Sequence, residues 1–279
     1  MKKTKNYLQA GIIAGFLGVI YWPAFVWMWG RWNVTETYYS HGILIPIASL
    51  FFLWQKKEDL AAVKITNNNA GIVLIIIGLL LHFCGVMIKL YFLSGISLLI
   101  LLAGLVLYFL GISMLKKVMF PIVYLIFMIP LPLVLISNIV LRMKLFAAQM
   151  ATVTLNYIGF VAVRDGNVIK MAHSFLEVGA PCSGLRSLIS LMAFGAAFAY
   201  LSSDSLIKKW IIFISALPIA LAANVLRITL LGWVSEVYGM KAAQGWIHDF
   251  SGYLLFAFAA VGLLVVNSIL MSENKEKQL

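Results

Sequence analysis

The chain has 279 residues, of which 63% are hydrophobic and 11% charged, with a formal net charge of +11. Soluble domains run at about 45–50% apolar and about 25% charged, so a water-facing shell cannot be assembled here and a soluble fold is excluded. In a soluble chain the basic excess would point to nucleic acid, but here it is spread in short clusters between apolar runs, the arrangement that orients membrane proteins.

Apolar runs of about 17–25 residues cross the hydrocarbon core as helices. The runs at 8–29, 38–54, 70–88, 92–114, 118–137, 183–201, 209–231 and 250–271 meet that length. The first is too long for a signal-peptide core and ends in WMWGRW instead of a small-residue cleavage site, so it reads as a retained helix. Residues 138–160 are apolar but hold Arg142, Lys144, Gln149 and Asn156, which predicts an interfacial or partly buried helix and not a ninth span. Next, VAVRDGNVIKM alternates apolar and polar residues about Asp165-Gly166-Asn167, a short hairpin, and HSFLEV offers a third strand. The fold class is therefore an all-α polytopic membrane protein of about eight transmembrane helices with a small extracytoplasmic β-hairpin region. It reads as a single integral membrane domain, 1–279, with an outer-face insertion at about 138–181.

Lysines set the orientation. With the amino terminus inside, the inner segments hold Lys2, Lys3, Lys5, Lys56, Lys57, Lys64, Lys116, Lys117, Lys208, Lys275 and Lys277, with Lys209 at the border. The longer outer segments hold Arg31, Lys89, Arg142, Lys144, Arg164, Lys170 and Lys241. The bias places both termini in the cytoplasm.

That topology brings three polar residues to one outer face: Cys182 in APCSGLRSL, Arg227 in AANVLRITLL and His248 in WIHDFSGYLLF. Thiol, guanidinium and imidazole at one depth suit thiol acyl transfer. A cysteine at a helix amino terminus is lowered toward thiolate by the macrodipole, and helix-start amides can donate to an oxyanion. His248 can move a proton near neutral pH. Arg227 stays charged and can hold an oxyanion or orient a carbonyl. Arg186, four residues after Cys182, is a second candidate cation on the same helix face. Ser183, Gly184, Asn224 and Asp249 are supporting positions, with Asp249 or Ser251 as a helix cap.

Blander readings stand beside these. Cys84 reads as a small packing residue, Arg227 can snorkel to the interface, and His248 can be an interfacial loop residue. His41, His82 and His173 are rival bases. A Cys84–Cys182 disulfide would remove the nucleophile. No His or Cys pair has ligand spacing, so no metal and no other cofactor is expected.

APCSGLRSL, NVLRI and HDFSGYLLF resemble, in order, the three signature segments of the exosortase/archaeosortase family of membrane transpeptidases. The resemblance extends to YSHGILIP at 39–46, MIPLP at 128–132 and the GNVI turn. It implies Cys182 as nucleophile, Arg227 as the family arginine and His248 as the third catalytic residue. Archaeal relatives often have a second arginine at that third position, so a bacterial exosortase is the closer likeness. The sequence ends soon after its last apolar run, so the extra periplasmic domain fused to some members is not expected here.

The resemblance further implies an enzyme of the bacterial cytoplasmic (inner) membrane with its active site on the extracytoplasmic face. Its partners would be membrane lipids and exported, membrane-tethered proteins ending in a Pro-Glu-Pro-type motif, a transmembrane helix and a basic tail; nucleic acid is not expected. Cleavage would pass through a thioester, ending in hydrolysis or transfer to an envelope acceptor. The substrate set, the acceptor and the oligomeric state are not legible in the sequence. A membrane transporter, and a non-catalytic assembly factor for surface polysaccharide or protein export, remain the alternatives.

Overall fold

The computed structural model describes residues 2–34, 38–179, 181–202, 205–244 and 246–276, without the side chains of residues 2–10, 181, 244, 246, 248, 249 and 272–276. It forms two compact units, Met1–Pro132 and Leu133–Leu279.

The first unit holds α1 (Lys2–Ile20), α2 (Trp22–Trp32), α3 (Leu44–Gln55), α4 (Lys57–Ala61), α5 (Ala70–Met87), α6 (Tyr91–Leu110) and α7 (Ile112–Tyr124). The expected 8–29 span is bent by 69° between α1 and α2. Pro23 lies in the first turn of α2, where its missing N–H interrupts the ladder. Buried polar groups meet at the bend. Tyr21 Oη and Ser97 Oγ are 2.9 Å apart, His82 Nδ1 and Ser94 Oγ are 2.7 Å apart, and His82 also bonds the Ile20 backbone.

Glycines 71, 78 and 85 recur along α5 and set its close packing on α6. A Cβ at Gly71 would lie 2.5 Å from Tyr108 N, and one at Gly104 would lie 2.8 Å from Ile75 N. Small residues at such a crossing let two membrane helices approach closely. The far side of α5 exposes Val73, Ile76, Leu80 and Phe83, as a lipid-facing surface requires.

The expected 118–137 span is not one helix. Pro121 sits inside α7, a 3-10 turn follows at Leu125–Met128, and Pro130 and Pro132 keep the chain extended.

The second unit holds α8 (Leu133–Tyr157), β1 (Ala162–Asp165), β2 (Val168–Met171), β3 (Phe175–Glu177), α9 (Leu185–Ser202), α10 (Leu206–Tyr238), α11 (Met240–Gln244) and α12 (Trp246–Glu276). Residues 138–157 of the expected 138–160 stretch therefore belong to a 25-residue helix long and apolar enough to cross a membrane, not to a short interfacial one. Among the described residues six helices meet that test, or seven counting the bent pair, roughly the eight expected.

The expected hairpin forms, with Gly166 at φ +62 in its turn, and HSFLEV does supply the third strand. All three strands are antiparallel in the order β1-β2-β3. The inner face of the sheet buries Ala162, Ile169 and Val178 against Ala147, Ala148, Ala151 and Leu155 of α8 and Ile228 of α10. A small sheet is marginal in water by itself, so this apolar contact stabilises it.

Candidate active site

The chain leaves β3 and enters the segment that carries the thiol. Cys182 lies in a one-turn 3-10 helix, Pro181–Ser183, and its N–H donates to the Gly179 carbonyl at 3.2 Å. Gly184 follows at φ +80, a left-handed conformation that glycine adopts at little cost, and α9 begins only at Leu185.

This break corrects two sequence expectations. Cys182 precedes the helix instead of starting it, and the four-residue spacing to Arg186 no longer measures a helical turn. Arg186 is exposed. Cys182 is half-buried against the cluster that includes Leu155, Ile169 and Ile228. The expected lowering of the thiol is likewise reversed. Burial pushes it above its ordinary value, and the nearby Arg227 and Lys144 charges only partly offset this.

Helix α10 holds the cysteine turn from the side. Asn224, 2% exposed, donates from Nδ2 to the Cys182 carbonyl at 3.2 Å. Its Oδ1 is buried without a partner among the described residues. Glycine at 184 makes the approach possible, because a Cβ there would lie 2.6 Å from Asn224 Cγ. Ser183 is buried, and its Oγ accepts from Leu185 N–H at 3.3 Å.

One turn further along α10, Arg227 donates from Nε to Ser251 Oγ of α12 at 2.9 Å, with Ser251 itself buried. His248 stands three positions before Ser251 in the first turns of α12, and Asp249 follows it. The side chains of His248 and Asp249 lie outside the described residues. Cys182, Gly184, Asn224, Arg227 and Ser251 thus form one connected cluster within the second unit. Cys84 and Cys182 are both free thiols.

Two contributors carry no site role in the sequence reading. Lys144 of α8 acts on the thiol as a second cation. Its signal is a lysine inside an apolar helix, which is costly in lipid. Glu236, near the end of α10, grips the β2–β3 turn. The His173 N–H donates to Oε1 at 3.0 Å, His173 Nδ1 lies 3.0 Å from the same oxygen, and Ser174 Oγ donates to Oε2 at 2.7 Å. His173 is thereby committed to a sheet-anchoring contact, with its side chain 84% exposed. Of the other rival bases, His82 is committed to the polar bend and His41 lies in a 3-10 turn, both in the first unit.

A thiol raised by burial becomes a nucleophile when a base takes its proton. A fixed guanidinium beside it then favours the negative charge that develops. No curated protein and no solved structure matches the chain. The sequence profile of transmembrane exosortases matches residues 29–265, most of the chain, and the chain therefore belongs to the transmembrane exosortase family.

Proposed function

We propose that this exosortase is a cysteine-dependent peptidase or transpeptidase that cleaves the carboxy-terminal sorting tails of exported proteins. The proposed site faces the extracytoplasmic side of the bacterial inner membrane, with both termini in the cytoplasm. The observation that carries the reading is the paired tether at α10. Asn224 holds the carbonyl of Cys182, and Arg227, one turn away, is bonded to the helix that bears His248.

In this mechanism the substrate is tethered by its own transmembrane helix and presents an extended segment of Pro-Glu-Pro type at the lipid surface. His248 takes the Cys182 proton as Sγ attacks the scissile carbonyl. Arg227 stabilises the oxyanion. The C–N bond then breaks, His248 returns the proton to the leaving amine, and a thioester joins the substrate to Cys182. Water hydrolyses that thioester, or an envelope nucleophile accepts the acyl group. The raised thiol argues for activation on demand by His248 over a standing thiolate. No step requires a cofactor, and Arg186 and Asp249 have supporting roles at most.

The test co-expresses the chain with a tagged exported reporter that carries such a motif, an apolar helix and a basic tail. Processing is followed by gel mobility. Cys182→Ala and Arg227→Lys are expected to abolish processing, and Cys84→Ala to leave it intact. Processing that survives Cys182→Ala would overturn the proposal and favour a transporter or an assembly factor.

A further inference from the structure

A three-stranded sheet has two edges, and this one treats them differently. The outward N–H and C=O of Ala162 on β1 are both taken by one side chain. Asn156 Oδ1 accepts the N–H at 3.0 Å and Nδ2 donates to the C=O at 2.8 Å. Asn156 thus stands where a neighbouring strand would lie at Ala162, although the outward groups of Arg164, two residues on, have no such side-chain plug among the described residues.

The β3 edge has no such plug. Antiparallel pairs alternate between hydrogen-bonded and non-bonded positions. Met171 N–H donates to Ser174 O and Val178 N–H to Asn167 O, both at 2.9 Å, so Ser174, Leu176 and Val178 are the residues bonded to β2. Phe175 and Glu177 therefore turn their backbone groups away from the sheet. The Glu177 carbonyl accepts from Gly179 N–H at 3.0 Å. The Phe175 N–H, the Phe175 C=O and the Glu177 N–H have no partner among the described residues. Both side chains are exposed. Edges are usually blunted by shortness, charge, proline or a covering element; here the strand is three residues long and carries one charge, Glu177, beside the exposed Phe175.

We propose that the β3 edge is the substrate-docking element, and that the extended segment of the exported protein adds to it as a fourth strand. This deepens the proposed function and rests on it. The occupant follows from the pattern of groups, because a donor, an acceptor and a second donor at strand spacing are matched by extended peptide backbone. The edge is also near the site: Cys182 comes five residues after the end of β3, and its N–H donates to the Gly179 carbonyl. The position opposite Glu177 supplies a carbonyl and need not supply an N–H, since the Glu177 carbonyl already accepts from Gly179. Proline is accommodated there.

The test uses the full chain in proteoliposomes, in a Cys84→Ala background, with increasing amounts of the reporter above. Phe175→Pro removes one outward donor and leaves the groups that pair with β2 untouched, a substitution edge strands tolerate. It is expected to raise the reporter concentration for half-maximal processing about tenfold, the scale of one lost backbone hydrogen bond. Phe175→Ala should change it less than about threefold by the same measure. Alkylation of Cys182 by N-ethylmaleimide should be unchanged in both.

If Phe175→Pro also loses alkylation, the protein has misfolded and crosslinking decides. A benzophenone side chain in place of Glu177, in Cys182→Ala protein, should capture the reporter, whereas one in place of Asp165 should not. Unchanged processing by Phe175→Pro, or capture of a second copy of the chain instead of the reporter, would overturn strand addition. Continued processing by Cys182→Ala would instead overturn the proposed function itself.

Discussion

Asn224 and Cys182 are 42 positions apart in sequence, yet the Asn224 side-chain amide donates to the Cys182 carbonyl at 3.2 Å. The helix that carries the guanidinium therefore also fixes the turn that carries the thiol. Any motion of α10 moves both groups together, and their mutual geometry is set before substrate arrives. Preorganisation of this kind matters because small misplacements of reacting groups cost large factors in rate.

Asn224→Ala removes the amide donor that Asn224 gives the Cys182 carbonyl. About fivefold slower processing is expected, from a hydrogen bond worth about 1 kcal/mol, with little change in the reporter concentration for half-maximal rate. Gly184→Ala should be more severe, because it adds left-handed strain to a contact with Asn224. Combining the two relieves the contact but not the strain. The double variant should then lose less than the two effects added together, as a double-mutant cycle of processing rates reads out.

Burial holds the Cys182 thiol above its ordinary value, and Arg227 and Lys144 pull it down. The alkylation rate of Cys182 should therefore rise with pH through a midpoint above that of an exposed cysteine. Arg227→Gln or Lys144→Gln should each move that midpoint higher, since removing a cation disfavours thiolate. The sign for stability is the same: a raised folded-state thiol contributes stability at lower pH and loses it as pH rises through that midpoint. A midpoint unmoved by either variant would show that neither charge reaches the thiol. The measurement is the pH profile of N-ethylmaleimide labelling in Cys84→Ala protein.

Glu236→Ala frees the β2–β3 turn from three hydrogen-bonded contacts. Limited proteolysis should then cut within 172–174 faster than in the parent protein. Processing should fall severalfold, while Cys182 alkylation stays within a factor of about two, because the clamp lies at the opposite end of β3 from the thiol and local openings are largely independent.

Gly71→Leu and Gly104→Leu put side chains where the α5–α6 backbones meet. A loss of about 1–3 kcal/mol is expected from overpacking, read as a lower thermal midpoint of the purified protein. Gly11→Leu, where a Cβ meets nothing within 4 Å, should leave the midpoint unchanged.

Much of the architecture was legible in the sequence because apolar length reports directly on membrane crossing. The hairpin was legible because Asp165-Gly166-Asn167 supplies turn chemistry between alternating residues. The breaks were not. Pro23 and Pro121 lie within apolar runs, where hydropathy is blind to a missing N–H. Residues 138–160 looked too polar to span, yet Thr152 satisfies its hydroxyl on the Ala148 carbonyl, and Asn156 is absorbed by the edge of β1. At the site, residue types suggested thiol, guanidinium and imidazole. The partners of Cys182 were hidden because tertiary contact, not spacing, brings Asn224 and Lys144 to it. The positive φ of Gly184, which stands between the Cys182 turn and α9, was equally invisible.

Helix α10 runs for 33 residues, about 50 Å at 1.5 Å per residue, against a hydrocarbon core of about 30 Å. Lys208 and Lys209 lie in its first turn, and Arg227 comes eighteen residues after Lys209, about 27 Å further along the axis. On the proposed topology the lysines rest at one lipid–water boundary and the guanidinium at the other, so the helix acts as a ruler between the two surfaces. Membrane thickness then becomes a variable of catalysis: longer acyl chains would draw Arg227 below the headgroups, and shorter ones would lift the site clear of them.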